Sequence, residues 1–62
     1  MEFKEKAKIR VEHWLEHNEK HYDEYINFAK ELEKNGMIEE KKIMEKVAEL
    51  TKEISSLFKK LI

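Results

Sequence analysis

The chain has 62 residues, with 13 basic and 14 acidic side chains, a net charge of −1, no cysteine, no proline and one glycine. This composition excludes disulfides and thiolate metal sites, and without a basic surplus it argues against a nucleic-acid or membrane-surface binder. No apolar run approaches the roughly 20 residues of a membrane span, so we expect a cytoplasmic protein. The core of so short a chain is marginal, and a partner chain or a bound ion is expected to supplement it.

In chain order, the sequence predicts a helix over about residues 3–34, a turn at Asn35-Gly36 and a second helix over about residues 38–61. Glycine is the preferred residue just past a helix end, and neither flanking segment contains a breaker. A β-hairpin at Asn-Gly is the alternative, but the flanks lack period-two alternation and consist of strong helix formers. We therefore expect one all-α domain over residues 1–62, an antiparallel helical hairpin.

Apolar residues recur at helical spacing in both segments. The first helix carries a heptad seam, which consists of Ala7, Val11, Trp14, Tyr25, Phe28 and Leu32, with Leu15, Tyr22 and Ala29 beside it. The second helix carries two overlapping seams, Met44, Val47, Ile54, Phe58 and Leu61, and Ile43, Val47, Leu50, Ile54, Leu57 and Leu61. Such a face is too wide for one partner helix, which favours a homodimer that forms a four-helix bundle. The alternatives are a monomer, or another protein domain that covers this face.

The seams of both helices are interrupted by polar residues. Asn18 and His21 interrupt the first helix, and Thr51 interrupts the second. Folding about Gly36 places residue i roughly opposite residue 72 − i, so the two interruptions are expected at one level, with His21 facing Thr51. Asn18, His21 and Thr51 would then form either a hydrogen-bonded layer that fixes register or the surroundings of a site.

Three histidines follow one another at four-residue spacing. In a helix His13, His17 and His21 form a row with one turn between neighbours, and pairs four residues apart can chelate a divalent transition metal such as nickel or zinc. The expected ligands are His17 and His21 with Glu24, while His13 is peripheral, and a symmetric partner chain could complete the coordination. Alternatively, these are ordinary surface histidines that bind nothing.

The run from Val11 to His21 has the pattern HWxEHNxxH, and Ala48-Glu49-Leu50-Thr51 and Leu57-Phe58 form a second matching region. This pattern is similar to a short helical domain found alone or appended to relatives of CooT-type nickel-binding proteins, which assist carbon monoxide dehydrogenase maturation. The resemblance implies a nickel context and marks His13, Trp14, His17, Asn18 and His21. It implies no enzymatic activity.

The sequence thus predicts a small helical module that binds a transition metal through its histidine row, with an accessory, storage or sensing role. The alternative is a pure protein–protein interaction or dimerisation module with a structural polar layer and no ligand. An enzyme is not expected, because the hydroxyl side chains that could act as nucleophiles, Thr51, Ser55 and Ser56, have no cleft-forming loop around them.

Overall fold

The structure is a computed structural model that describes residues 2–62. It contains two α-helices, α1 (Phe3–Lys34) and α2 (Ile38–Lys59), and no strand among the described residues. The expected all-α hairpin is confirmed. Helix α1 has the bounds that the sequence predicts, and α2 ends at Lys59, two residues earlier than expected.

The turn between the helices is built on Gly36, the residue with a left-handed φ of 74°. The N–H of Met37 donates to the carbonyl of Leu32 at 2.9 Å, and the N–H of Gly36 donates to that of Glu33 at 3.1 Å. These two bonds form a Schellman motif, which satisfies carbonyl groups at the end of α1 and needs a left-handed residue. The amide side chain of Asn35 adds a 2.8 Å bond to the carbonyl of Glu31. The chain therefore reverses within three residues.

The two helices contact each other mainly through small side chains. The buried residues of this contact are Val11, Ala29, Leu32, Ala48, Thr51 and Ser55. Larger apolar side chains flank this strip: Leu15, Tyr22 and Met44 are half-buried. Small residues at the contact let two helices approach closely, so bulky neighbours remain at the edges.

The expected seams are right in part: Val11 and Leu32 of the first seam are buried, but both helices are rotated relative to the rest of the prediction. Trp14 and Phe28, placed in the seam of the first helix, are 49% and 48% exposed, and Ile54 of the second is 44% exposed. Residues placed beside the first seam, above all Ala29, are instead central to the contact. The sequence prediction placed the largest hydrophobic side chains at the centre of the contact between the two helices, whereas close helix packing favours alanine, serine and threonine there.

The hairpin is long and thin. Its Cα atoms span 52 × 14 × 10 Å, with a radius of gyration of 15.0 Å, whereas a globular chain of this length would have about 11 Å. Neither α1 nor α2 is long and apolar enough to cross a lipid bilayer. A two-layer rod of this kind has two broad faces, and these differ sharply in chemistry.

Candidate functional site

The inside of the hairpin contains one polar network, centred on Asn18. Its side-chain amide donates to the carbonyl of Thr51 at 2.7 Å and to the hydroxyl of Ser55 at 2.8 Å. The hydroxyl of Thr51 donates to the carbonyl of Val47 at 2.8 Å. Asn18 and Thr51 thus lie at one level of the hairpin, and Ser55 completes the layer. Every buried polar side-chain atom among the described residues has a partner, as native packing requires.

His21 does not belong to this layer, contrary to the expectation. Its side chain is 51% exposed, and its ring stacks on Tyr25 with 6.0 Å between centroids. The reason is the rotation of α1: His21 lies about 60° around the helix axis from Asn18, which takes its ring out of the contact. The sequence reasoning missed Ser55 in this role, although Ser55 follows Thr51 by one turn on the same side of α2.

The three histidines form a continuous row on the surface of α1. The ring centroids of His13 and His17 are 4.7 Å apart, and those of His17 and His21 are 6.4 Å apart. The carboxylate of Glu24 lies 3.7 Å from Nδ1 of His21. In one chain, no group of three or more histidine, aspartate and glutamate side chains within residues 2–62 is arranged to hold a metal ion. A site of three or four protein ligands would therefore need side-chain rearrangement or a second chain.

The histidine row borders an open groove between the helices. The groove, about 460 Å³ in volume, is lined by all three histidines together with Trp14, Asn18, Ile54 and Phe58. The rings of Trp14 and Phe58 meet across it with 6.2 Å between centroids. The histidines therefore share one broad face of the hairpin with aromatic and aliphatic side chains.

On this face α2 and the turn that follows it present a stripe of apolar residues with the spacing of a heptad repeat, which we call the α2 stripe. The stripe residues are Ile43, Val47, Leu50, Ile54, Leu57 and Leu61, four and three residues apart in alternation. Five of them are between 44% and 68% exposed, and Val47 is half-buried. Helix α1 adds Trp14 and Phe28, each about half exposed. We call this surface the apolar face. A hairpin with only its own two helices to pack together leaves the apolar face in water.

The opposite face is charged. Near the turn, Nζ of Lys41 lies 2.8 Å from a carboxylate oxygen of Glu33 on α1 and 3.6 Å from one of Glu45. The hydrogen bond from Lys41 and the positive charge of Lys41 lower the pKa of the Glu33 carboxyl group. The same hydrogen bond and the negative charges of Glu33 and Glu45 raise the pKa of the Lys41 amine. Farther along, the groove on this side is lined by Glu19, Tyr22, Asp23, Lys52, Ser55, Ser56 and Lys59. This face is suited to solvent.

The fold and the site define a small antiparallel helical hairpin with one apolar face and one charged face. The profile of the family described as "Domain of unknown function (DUF8180)" matches residues 7–62, and the chain belongs to this family. No curated protein and no solved structure gives a significant match to the chain. The family description names no ligand, so the resemblance to CooT-type proteins stays a prediction from the sequence.

Proposed function

We propose that this protein is an interaction module that pairs with a second copy of itself through the apolar face, to form a four-helix bundle. The observation that supports this most directly is the α2 stripe, whose heptad spacing is that of a helix-packing seam rather than of a solvated surface. The hairpin contact uses a different side of α2, which contains Ala48, Thr51 and Ser55. The stripe is therefore free for a second helical partner.

The accessible surface supports the same proposal quantitatively. The chain exposes 5190 Å², whereas a folded monomer of 7.6 kDa exposes about 4,300 Å². The excess of about 900 Å² is close to the roughly 800 Å² that each partner buries in an interface of standard size. A second copy laid on the apolar face would remove this excess.

A second copy suits this face better than an unrelated partner does, because the two rows on the face are each self-complementary. A heptad stripe can pack against the same stripe of a second copy when the two helices run antiparallel. In such a pair the α2 stripe contacts the α2 stripe of the second copy, and the histidine row contacts the second histidine row. The net charge of −1 adds little repulsion between two copies.

Sedimentation velocity at micromolar concentration tests the proposal, and we expect a particle of twice 7.6 kDa. Leu57→Lys should convert it to the monomer, since Leu57 is 59% exposed in the hairpin and its loss disturbs the fold little. Lys52→Glu on the charged face is the matched control and should leave the dimer intact. A helical monomer of the natural sequence over the whole concentration range would overturn the proposal, as would equal effects of the two substitutions.

A further inference from the structure

We propose that the paired hairpins share one site for a divalent transition metal such as nickel or zinc, formed by His21 and His17 of both copies at the two-fold axis. This inference rests on the proposed pairing through the apolar face. It goes beyond that pairing because it assigns ligands, stoichiometry and a relative orientation of the two copies.

Two of the histidines point away from the hairpin contact. Around the axis of α1, His21 and His17 lie about 60° and 100° from Asn18, on the same side as Trp14 and Phe28. Both side chains therefore project from the apolar face rather than into the hairpin contact. His13 lies farther around, about 140° from Asn18, and borders the groove of the neighbouring side as well. A second copy laid on the apolar face would thus meet His21 and His17 before it meets His13.

His17 and His21 also lie near the middle of the rod. Helix α1 spans Phe3–Lys34, so its midpoint lies between Asn18 and Glu19. Helix α2 lies beside only the later part of α1, and the part in which both helices run side by side is centred near residue 23. A two-fold axis perpendicular to the rod would fall between these two levels. His21 lies within about 4 Å of either level along the axis, at a rise of 1.5 Å per residue. An axis at the level of Glu19 lies in this range and places His17 and His21 of each copy about 3 Å to either side of it along the rod, so that all four imidazoles can reach one ion.

The polarity of the histidines favours a two-fold axis perpendicular to the rod over one that runs along it. A two-fold axis perpendicular to the rod places α1 against α1 and α2 against α2, so that histidines face histidines and the α2 stripe faces its own copy. An axis along the rod would place α1 against α2 instead. His17 and His21 would then be desolvated against leucine and isoleucine of the stripe, which is costly for polar groups without partners. The first orientation pairs like with like.

The ligand chemistry fits a transition metal. The carboxylate of Glu24 lies 3.7 Å from Nδ1 of His21, just beyond hydrogen-bond distance, and a small side-chain movement would let it orient the ring and leave Nε2 for the ion. Four imidazoles, two from each copy, provide the neutral nitrogen donors that zinc, nickel and copper prefer. No cluster of three potential ligands exists in one chain among residues 2–62, and in the proposed pairing the second copy contributes the third and fourth ligands.

Calorimetric titration with Zn²⁺ and with Ni²⁺ at neutral pH, combined with sedimentation, tests the inference. We expect one ion for every two chains. If the ion binds only the dimer, free metal at 100 times its Kd should lower the dimer dissociation constant about 100-fold. His21→Ala should abolish this shift, and the matched control His13→Ala should retain it.

The outcomes separate the inference from the proposed function. A metal-free dimer that binds no ion would overturn the shared site and leave the pairing intact. One ion per chain, lost in His13→Ala, would also overturn it, because the His13–His17 pair with its 4.7 Å centroid separation would then be the chelate. A monomer with and without metal would refute both proposals.

Discussion

Replacing Asn18 by alanine removes the polar network inside the hairpin, and the structure allows the loss to be estimated. The side-chain amide makes two hydrogen bonds, to the carbonyl of Thr51 and the hydroxyl of Ser55. Each such bond contributes about 0.5–1.5 kcal/mol net. The carbonyl of Thr51 also accepts a bond within α2, so the hydroxyl of Ser55 is the group most affected by the substitution. We expect Asn18→Ala to lower the free energy of unfolding by about 1–2 kcal/mol.

Thermal unfolding followed by circular dichroism at 222 nm measures this effect. For a chain of this size each kcal/mol corresponds to a change in Tm of about 4–8 °C, so Tm should fall by about 4–16 °C. All variants must be compared at one protein concentration, because association makes the apparent stability depend on concentration.

A double-mutant cycle isolates the contact between Asn18 and Ser55. Asn18→Ala and Ser55→Ala together should cost less than the sum of the single effects, with a coupling of at least about 0.5 kcal/mol. Ser56→Ala is the matched control, since Ser56 is exposed and bonds only to the carbonyl of Lys52. If coupling to Ser55 is no larger than coupling to Ser56, the network does not hold the hairpin as we describe.

Three further predictions follow from the contact strip, the turn and the charged face. Ala48→Leu should destabilise the hairpin by about 1–3 kcal/mol through overpacking, because Ala48 is 1% exposed, whereas Glu49→Leu beside it should not; urea unfolding compares the two. Gly36→Ala should lower the free energy of unfolding by about 1–2 kcal/mol in the same assay. The cost comes from the positive φ alone, because nothing lies within 4 Å of the added methyl group. Gly36→Asn should cost less, and equal costs would contradict this explanation. The lowered pKa of Glu33 means that its pairing stabilises the fold above the ordinary pKa of glutamate and that this stabilisation is lost as the pH falls through the lowered pKa, whereas the raised pKa of Lys41 means stabilisation that is lost as the pH rises through the raised pKa. Glu33→Gln should therefore flatten the acid limb of Tm against pH, and an unchanged limb would show that the pair contributes nothing.

The hairpin and the alignment of its two helices were predictable because they follow from the position of the turn along the chain. A single glycine after a long run of helix formers locates the turn, and the turn fixes which levels of the two helices meet. Trp14 indeed lies beside Phe58, as folding about Gly36 requires, and Asn18 contacts Thr51 and Ser55, on either side of its expected level.

The rotation of each helix was not predictable from hydrophobicity, because α1 offers two stripes only a fraction of a turn apart. One contains Trp14 and Phe28, and the other contains Leu15 and Ala29. Ranking by size of the apolar side chain selects the first stripe, whereas close approach of the helices selects the second. This rotation moves His21 from the hairpin contact to the apolar face. The polar interruption predicted for the first helix therefore consists of two separate features: Asn18 faces the hairpin contact, and His21 faces outward on the apolar face.

These two polar features lie at nearly the same level of the rod, and heptad packing gives a reason for both. An apolar seam with a seven-residue repeat can slip by one heptad, about 10.5 Å, and regain most of its contacts. Within the hairpin the turn already opposes such a slip, and the bonds of Asn18 to Thr51 and Ser55 oppose it again. Between two copies no turn connects the chains, so the α2 stripe alone would leave their alignment ambiguous. In the pairing that we propose, the outward histidines remove that ambiguity, because only one alignment brings His17 and His21 of both copies together at the two-fold axis. A metal ion there would select the alignment more strongly than apolar packing can. The substitution His21→Leu tests this, because it keeps the face apolar but removes the ligand. We expect it to broaden the distribution of dimer alignments that inter-chain distance measurements detect.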